Sequence, residues 1–373
     1  LEKSLNLRQE LFGKQHPEFG ASLNDLSETH IALGELDIAE APLKDSLAPV
    51  LHATTKTKIQ SSAVMAKSLF LLGRIALERG EFETAEQRFK QSMEMYDSLG
   101  QQNSIDKAAV MTQLGKALSE QYKEPEAEPW LRAALNIGKA QLGTDHPQVA
   151  EQMARLADVL EGQAKNDEAA ILFGTSLNIK RRILGIKHPD TVDTIKNYGN
   201  FLRRNGGFDE ARTLMNEALQ INTELYGTQH EYVGYDNVNL GLLDYDEGQY
   251  VSAEQRFRTA LSIYGHSLGQ DSVLIAGAQI GLARSLTRQH KPDAALPLLH
   301  SAIKISDQSL GKDNPITATA NAALGIALLE SGRLTQAKAL LLQTVSEIED
   351  TYGSQAVITR EVHVALKQLG AEK

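Results

Sequence analysis

One spacing recurs through most of this chain and limits what it can fold into. An alanine that follows a predicted turn returns every 42 residues, after a single first interval of 46 residues. These alanines are Ala39, Ala85, Ala127, Ala169, Ala211, Ala253, Ala295 and Ala337. A glycine between the units keeps the same spacing from Gly143 to Gly353. Since such a period indicates one supersecondary unit repeated along the chain, the sequence predicts a stacked array.

Two further positions in each unit fit a pair of packed helices. A small residue lies twelve residues before the alanine and a bulky one four residues after it, as Gly241 and Phe257 do around Ala253. Small residues let two helices approach closely, and the bulky side chains fill the space beside them. Turns such as RNGGFDEA, residues 204–211, contain a glycine suited to ending a helix. Each unit is therefore predicted to be a helix A, a turn and a helix B.

These positions resemble the tetratricopeptide repeat, whose signature is a Leu-Gly pair in helix A and Ala, an aromatic residue and Ala in helix B. The period of 42 is longer than the usual 34. With connectors such as QLGTDHP (141–147) and ILGIKHP (183–189), it is similar to the long repeats of kinesin light chain and related bacterial proteins. The resemblance implies an all-α, right-handed superhelical solenoid whose A helices line a concave wall.

We predict one solenoid domain over residues 1–373. It begins with a half unit at 1–13 and ends with a helix at 355–369. The eight units between them are predicted at about 17–57, 63–100, 105–143, 147–185, 189–227, 231–269, 273–311 and 315–353. The longer first interval falls in residues 50–65, which we predict to be a polar connector. Because the chain starts with Leu1 inside a helical pattern, we expect it to be part of a longer protein.

Composition excludes several kinds of partner. A formal net charge of −10 disfavours nucleic acid and anionic membrane surfaces, which bind basic proteins. The chain has no cysteine, so disulfides, thiolate catalysis and cysteine-bound zinc are ruled out, which fits a reducing compartment. No run approaches the ~20 apolar residues of a membrane span. We therefore expect a cytoplasmic protein with no nucleic-acid or membrane partner.

The histidines do not indicate a metal site. His16, His146, His188 and His230 occupy the same connector position in different units, so they do not converge on one ion. We interpret each as a polar residue that precedes the start of the next helix A. The chain also lacks a phosphate-binding G-x-x-x-x-G-K-[ST] loop, an H-E-x-x-H pair and a G-x-S-x-G elbow. We therefore predict a non-enzymatic protein with no cofactor and no metal.

The resemblance implies that the concave face binds extended peptides. Counting back from the marker alanines gives the inward positions, and those of the fifth to seventh units are locally basic. Asparagine can donate to and accept from a peptide backbone, and arginine can hold a carboxylate through two parallel hydrogen bonds. Leu242 and Tyr245 would form an apolar pocket. The predicted peptide-binding residues are Lys196, Asn200, Arg203, Asn239, Leu242, Tyr245, Arg284 and Arg288.

A narrower comparison concerns co-chaperones with this repeat, which hold the C-terminal carboxylate of a peptide. Lys196, Asn200 and Asn239 match three positions of that clamp, whereas the last two fall on Gly277 and Gly281. We therefore predict a protein-interaction scaffold. Its partner would be a protein or peptide with acidic residues or a free carboxylate.

An alternative function stays open. Long repeats of this type resemble arrays attached to bacterial kinases or nucleotide-binding switches, so the chain could be a regulatory or self-assembly domain of a larger signalling protein. The inward positions near the C-terminus are apolar, which suggests self-association through that wall. They are Ala322, Ala323, Ile326 and Leu329.

Overall fold

The computed structural model describes residues 2–14, 16–47, 55–269, 271–311, 314–354 and 356–370. These residues form eighteen α-helices and no strand, which confirms the all-α repeat solenoid. The chain divides into two compact units, Leu1–Gly185 and Ile186–Lys373. That the whole chain behaves as one domain stays a prediction.

Unit 1 contains one single helix followed by four helix pairs. Each pair packs as an antiparallel hairpin, and within the unit the second helix of one pair also packs against the first helix of the next. The helices are α1 (Glu2–Phe12), α2 (Pro17–Ala32), α3 (Leu36–Leu47), α4 (Thr55–Glu78), α5 (Phe82–Ser98), α6 (Ile105–Ser119), α7 (Glu124–Leu142), α8 (Pro147–Gly162) and α9 (Asn166–Ile183).

Unit 2 contains four helix pairs followed by one single helix. Its A helices have even numbers and its B helices odd numbers. The helices are α10 (Pro189–Arg204), α11 (Phe208–Tyr226), α12 (Glu231–Asp246), α13 (Tyr250–Ser267), α14 (Val273–Arg288), α15 (Pro292–Leu310), α16 (Pro315–Glu330), α17 (Leu334–Tyr352) and α18 (Val357–Gln368).

The prediction of a polar connector at 50–65 is wrong for most of these residues, which are helical. Helix α4 begins at Thr55 and runs for 24 residues, so residues 55–65 are helical. Residues 50–54 lie outside the described part of the chain. Residues 55–65 contain neither glycine nor proline, the two residues that most strongly disfavour a helix. The helix formed by the more apolar residues that follow therefore extends back to Thr55.

The small and bulky positions of each unit pack as the spacing predicts. All eight marker alanines are fully buried. A Cβ on Gly73 would lie 2.5 Å from the Phe89 ring, and one on Gly241 would lie 3.0 Å from the Phe257 ring. Helix A therefore has no side chain where the bulky residue of helix B rests against it. This close approach fixes the hairpin in every unit that carries the pair.

The turn inside each hairpin uses a left-handed residue, and that residue is not always glycine. Gly206 and Gly248 have φ of 81° and 78°. Tyr122, Ala164 and His290 occupy the same turn position in other units with φ of 57°, 58° and 59°. A residue with a Cβ is strained in this conformation. These three turns are therefore held by the packing of the helices on either side.

The connector histidines cap the following A helices. The Nδ1 atoms of His16, His146, His188 and His230 each accept a hydrogen bond of 3.2 Å from the backbone N–H two residues later. Ser104, Ser272 and Asn314 cap three other A helices from the residue just before their first turn. The histidines thus satisfy backbone donors that a helix start leaves unpaired.

The A helices of unit 2 lie on the inner side of its curvature. Each A helix from α10 to α18 contacts the next A helix, and no comparable contact joins successive B helices among the described residues of this unit. Side chains on the free face of the A helices are therefore brought together. We call this face of α10, α12, α14, α16 and α18 the inner wall.

Candidate functional site

The inner wall carries all eight predicted peptide-binding residues on three neighbouring helices. Helix α10 supplies Lys196, Asn200 and Arg203, α12 supplies Asn239, Leu242 and Tyr245, and α14 supplies Arg284 and Arg288. Most of them are partly or fully covered by neighbouring side chains, whereas Arg288 is exposed. Their partners decide what the wall can bind.

Arg203 is already paired within the wall. Its guanidinium donates to the carboxylate of Asp246 at the end of α12, and the two side chains are only 14% and 8% exposed. Burial lowers the pKa of Arg203, while the charge of Asp246 opposes that shift. The Nε atom of Arg203 is buried and has no hydrogen-bond partner among the residues described. Arg203 therefore joins α10 to α12 before any ligand arrives.

Tyr245 and Arg284 form a second contact, which includes a distant residue. The guanidinium carbon of Arg284 lies 4.4 Å from the centre of the Tyr245 ring. Glu361 of α18 accepts a hydrogen bond of 2.9 Å from Arg284 Nη2 through one oxygen and a hydrogen bond from the Tyr245 hydroxyl through the other. Burial disfavours the charged guanidinium, but Glu361 raises the pKa of Arg284 overall. Burial also raises the pKa of Tyr245.

Arg288 keeps its charge without a carboxylate. Its Nε donates to the Tyr250 hydroxyl at 3.1 Å, and its guanidinium carbon lies 5.3 Å from the centre of that ring. Within the described ranges it makes no ion pair. The wall thus holds three predicted arginines against two carboxylates, Asp246 and Glu361. It is less basic than the sequence suggests, because two of the arginines are neutralised internally.

Lys196 lies at the other edge of the predicted site. Its Nζ donates to Asp193 at 2.7 Å and lies 5.7 Å and 5.4 Å from the ring centres of Tyr232 and Tyr235. Burial would lower the pKa of Lys196, but the carboxylates of Asp193 and Asp236 outweigh it and raise the pKa. Lys196 is therefore a positively charged side chain that is fixed by Asp193 and lies beside two exposed tyrosines.

The two asparagines differ from the charged residues. Asn239 is 6% exposed and Asn200 is half-buried. In the part of the chain that the structure describes, neither carboxamide has a hydrogen-bond partner. Leu242, on the same helix as Asn239, is partly buried against the core of unit 2. The wall therefore presents two unused carboxamides, each able to donate and accept.

The family of this chain follows from its matches to known repeats. A family model described as tetratricopeptide repeat matches residues 106–182, 190–265 and 274–346, which together exceed half of the chain. A second model with the same description matches residues 66–91. The chain belongs to the tetratricopeptide repeat family. A comparison with curated proteins gives no match.

The solved structures similar to this tetratricopeptide repeat protein include two that align with most of the chain and one that aligns with part of it. NprR in complex with its cognate peptide NprX is 13% identical with a TM-score of 0.61, over 94% of this chain and 96% of that one. A Rap protein complexed with competence and sporulation factor is 17% identical with a TM-score of 0.57, over 95% and 100%. Repeats of a putative kinesin light chain from P. anserina are 20% identical over 56% and 98%, with a TM-score of 0.45.

The apolar inner positions near the C-terminus are largely covered within unit 2. Ala322 and Ala323 are buried, and Ile326 and Leu329 pack against the cluster that α18 forms through Ile358, Val362 and Leu366. Helix α18 therefore covers the surface that we predicted for self-association. That role, and the regulatory alternative, stay predictions.

Other kinds of site receive no support from the described residues. No group of three or more His, Cys, Asp or Glu among them could hold a metal ion. Among those same residues, no helix is long and apolar enough to cross a membrane.

The predicted binding residues lie on three neighbouring A helices, but their role in binding stays a prediction and their internal partners were not foreseen. Asp246 lies at an inward position, and its place one helix away from Arg203 could have indicated the ion pair. Glu361 could not have been found in this way. It lies 77 residues from Arg284 and 116 from Tyr245, and only the curvature of unit 2 brings the three side chains together.

Proposed function

We propose that this chain is a protein-interaction scaffold that binds an extended peptide segment on the inner wall of unit 2. The observation that carries the proposal is the pair of unpaired carboxamides, Asn200 and Asn239, on neighbouring A helices. Neither carboxamide is used by a hydrogen bond within the described residues, and an extended peptide backbone would meet both the donor and the acceptor of each. Lys196, Arg203 and Arg284 are already engaged in internal ion pairs, so the two asparagines are positions at which a ligand can bind without breaking one.

The proposed peptide carries an acidic side chain or a free C-terminal carboxylate. Arg288 offers a guanidinium without a carboxylate partner among the residues described, and it lies beside the ring of Tyr250. Tyr245 and Arg284 already hold the carboxylate of Glu361, which supports the same ligand chemistry. Leu242 and the rings of the wall would take an apolar residue of the peptide.

Two proteins with a similar fold support a binding role. NprR has been crystallised with its cognate peptide NprX, and a Rap protein with competence and sporulation factor. Their sequence identities of 13% and 17% establish only a shared fold, so the ligand and its position are our proposal for this chain.

A peptide selection tests the proposal directly. Random dodecapeptides displayed on phage are selected on the full chain, and the enriched peptides are synthesised and titrated by fluorescence anisotropy. Asn239→Ala should weaken binding by about tenfold, because it removes two hydrogen bonds to the peptide backbone. Substitution of arginine is a poorer test, since it also breaks an internal ion pair.

The matched control is Asn216→Ala, which removes an exposed asparagine from helix α11 on the other side of the hairpin. It should leave affinity unchanged, and circular dichroism should show equal helicity for both variants. Equal affinity of Asn239→Ala and the unaltered chain would refute the assigned wall. A selection that enriches no binding peptide would refute the function itself.

A further inference from the structure

The contact of Glu361 with Tyr245 and Arg284 joins the last helix of the chain to the predicted binding residues. Glu361 and Arg284 are 15% and 12% exposed, so the ion pair is nearly closed to solvent. Both oxygens of the carboxylate are used, one by the guanidinium and one by the phenol. The arrangement is a complete carboxylate-binding site, and the carboxylate in it belongs to the protein.

The site is not saturated by its internal occupant. Arg284 Nε is buried and has no hydrogen-bond partner among the described residues. Glu361 receives only one hydrogen bond from the guanidinium, through Nη2. A carboxylate that took the two-pronged geometry preferred by arginine would satisfy Nε as well. An incoming ligand therefore has one hydrogen bond to gain over Glu361.

The helix that carries Glu361 packs mainly against two neighbouring helices. Ile358, Val362 and Leu366 of α18 pack in the apolar cluster shared with α16 and α17. Glu361 is the described side chain through which α18 also hydrogen-bonds to α12 and α14.

We propose that Glu361 is an internal substitute for the carboxylate of a peptide ligand, and that binding of that ligand releases α18 from α12 and α14. This inference rests on the proposed function and identifies the position where the acidic group of the peptide binds. An intramolecular competitor lowers the apparent affinity by the fraction of molecules in which the site is free. Removal of the Glu361 charge therefore increases the affinity for acidic peptides.

Two defined peptides test the competition on the full chain. One is Ac-(Gly-Ser-Glu)4-NH2, and the other is Ac-(Gly-Ser-Gln)4-OH, in which the C-terminal carboxylate is the single charge. They distinguish acidic side chains from a terminal carboxylate as the source of the ligand group. Glu361→Gln should increase the affinity of one of them by about tenfold, since the substitution removes a nearly buried competing charge. Arg284→Gln in the Glu361→Gln background should abolish that increase.

The matched control is Glu349→Gln. It removes the ion pair of 2.7 Å between Glu349 and His363, which also joins α18 to its neighbour but does not touch the wall. It should leave the affinity for both peptides unchanged. Hydrogen–deuterium exchange should show faster exchange of the α18 amides when the peptide binds the unaltered chain.

Equal affinities of the unaltered chain and Glu361→Gln for both peptides would show that the contact is structural and would overturn the inference, as would binding of neither peptide. If the phage selection still yields peptides that depend on Asn239, the proposed function survives without the carboxylate exchange. If the selection fails too, both proposals fall.

Discussion

Arg203 and Asp246 join the last turns of two neighbouring A helices through an ion pair that is almost closed to solvent. The pair occupies the wall where the sequence suggested free positive charge. The two side chains therefore contribute to the integrity of unit 2, and their roles in folding and binding have to be separated by experiment.

Removal of one partner should destabilise the unit more than removal of both. Asp246→Asn leaves the Arg203 guanidinium buried without a counter-charge, and should lower the free energy of unfolding by roughly 3 kcal/mol. Arg203→Leu with Asp246→Leu should recover most of that loss, because no charge is left buried. Urea unfolding followed by circular dichroism measures both. Additive losses in the double variant would contradict this account.

The buried carboxyl of Asp236 should make the stability of unit 2 depend on pH. Burial raises its pKa from 3.8 to about 6, although the hydrogen bond from Asn222 and the charge of Lys196 oppose the shift. At pH values between these two pKa values, Asp236 is protonated in the folded state and ionised in the unfolded state. Stability should fall as pH rises from about 4 to about 6.

Asp236→Asn should remove this dependence. At pH 7 we expect a gain in the free energy of unfolding of up to roughly 2–3 kcal/mol, and little change at pH 4. Thermal unfolding at a series of pH values measures the effect, with Asp209→Asn on the exposed start of α11 as the control. A variant that follows the same pH profile as the unaltered chain would show that Asp236 ionises normally.

The strained turns offer a reciprocal pair of substitutions. Ala164 has φ of 58°, so Ala164→Gly should stabilise the protein by about 1 kcal/mol. Gly206 occupies the same turn position in another unit with φ of 81°, and Gly206→Ala should destabilise it by a similar amount. Melting temperatures of the two variants should move in opposite directions. A decrease for both would mean that chain entropy outweighs the strain.

The capping histidines can be tested at His188. His188→Ala removes the acceptor for the Asp190 N–H and should cost about 1 kcal/mol. His188→Asn should keep nearly all of the stability, because Asn314 performs the same role at the start of α16. Chemical denaturation compares the three proteins. Equal losses in both variants would show that an asparagine cannot replace the histidine cap at this helix.

Local features of the fold were predictable because they depend on residues close in sequence. Proline at the start of α8 and α10, and glycine after α7, mark helix ends through their own backbone limits. The packing of Gly241 on Phe257 follows from two positions within one hairpin. The start of α4 was missed because its first turns are polar and lack the apolar periodicity that marks the other helices. The absence of glycine and proline was the one indication of a helix there.

The pairing on the inner wall was less predictable because it depends on how successive hairpins rotate against each other. The positions of Arg203 and Arg284 could be counted from the repeat, but their partners lie on other helices. The left-handed conformations of Tyr122, Ala164 and His290 were also hidden, since each departs from the glycine that the other units use.

The reach of Glu361 across the wall has a consequence for how the chain can change in length. The packing of Gly241 on Phe257 lies within one hairpin, and its equivalents in other units do not depend on how many hairpins surround them. Glu361 on α18, in contrast, contacts Tyr245 on α12 across three helix pairs, α12–α13, α14–α15 and α16–α17. The contact therefore depends on the number of pairs between the two residues. Duplication or loss of one 42-residue unit in that interval would keep every hairpin intact and separate these two residues. The contact between Glu361 and Tyr245 therefore requires a fixed number of repeats in this part of the chain, whereas the packing within each hairpin does not.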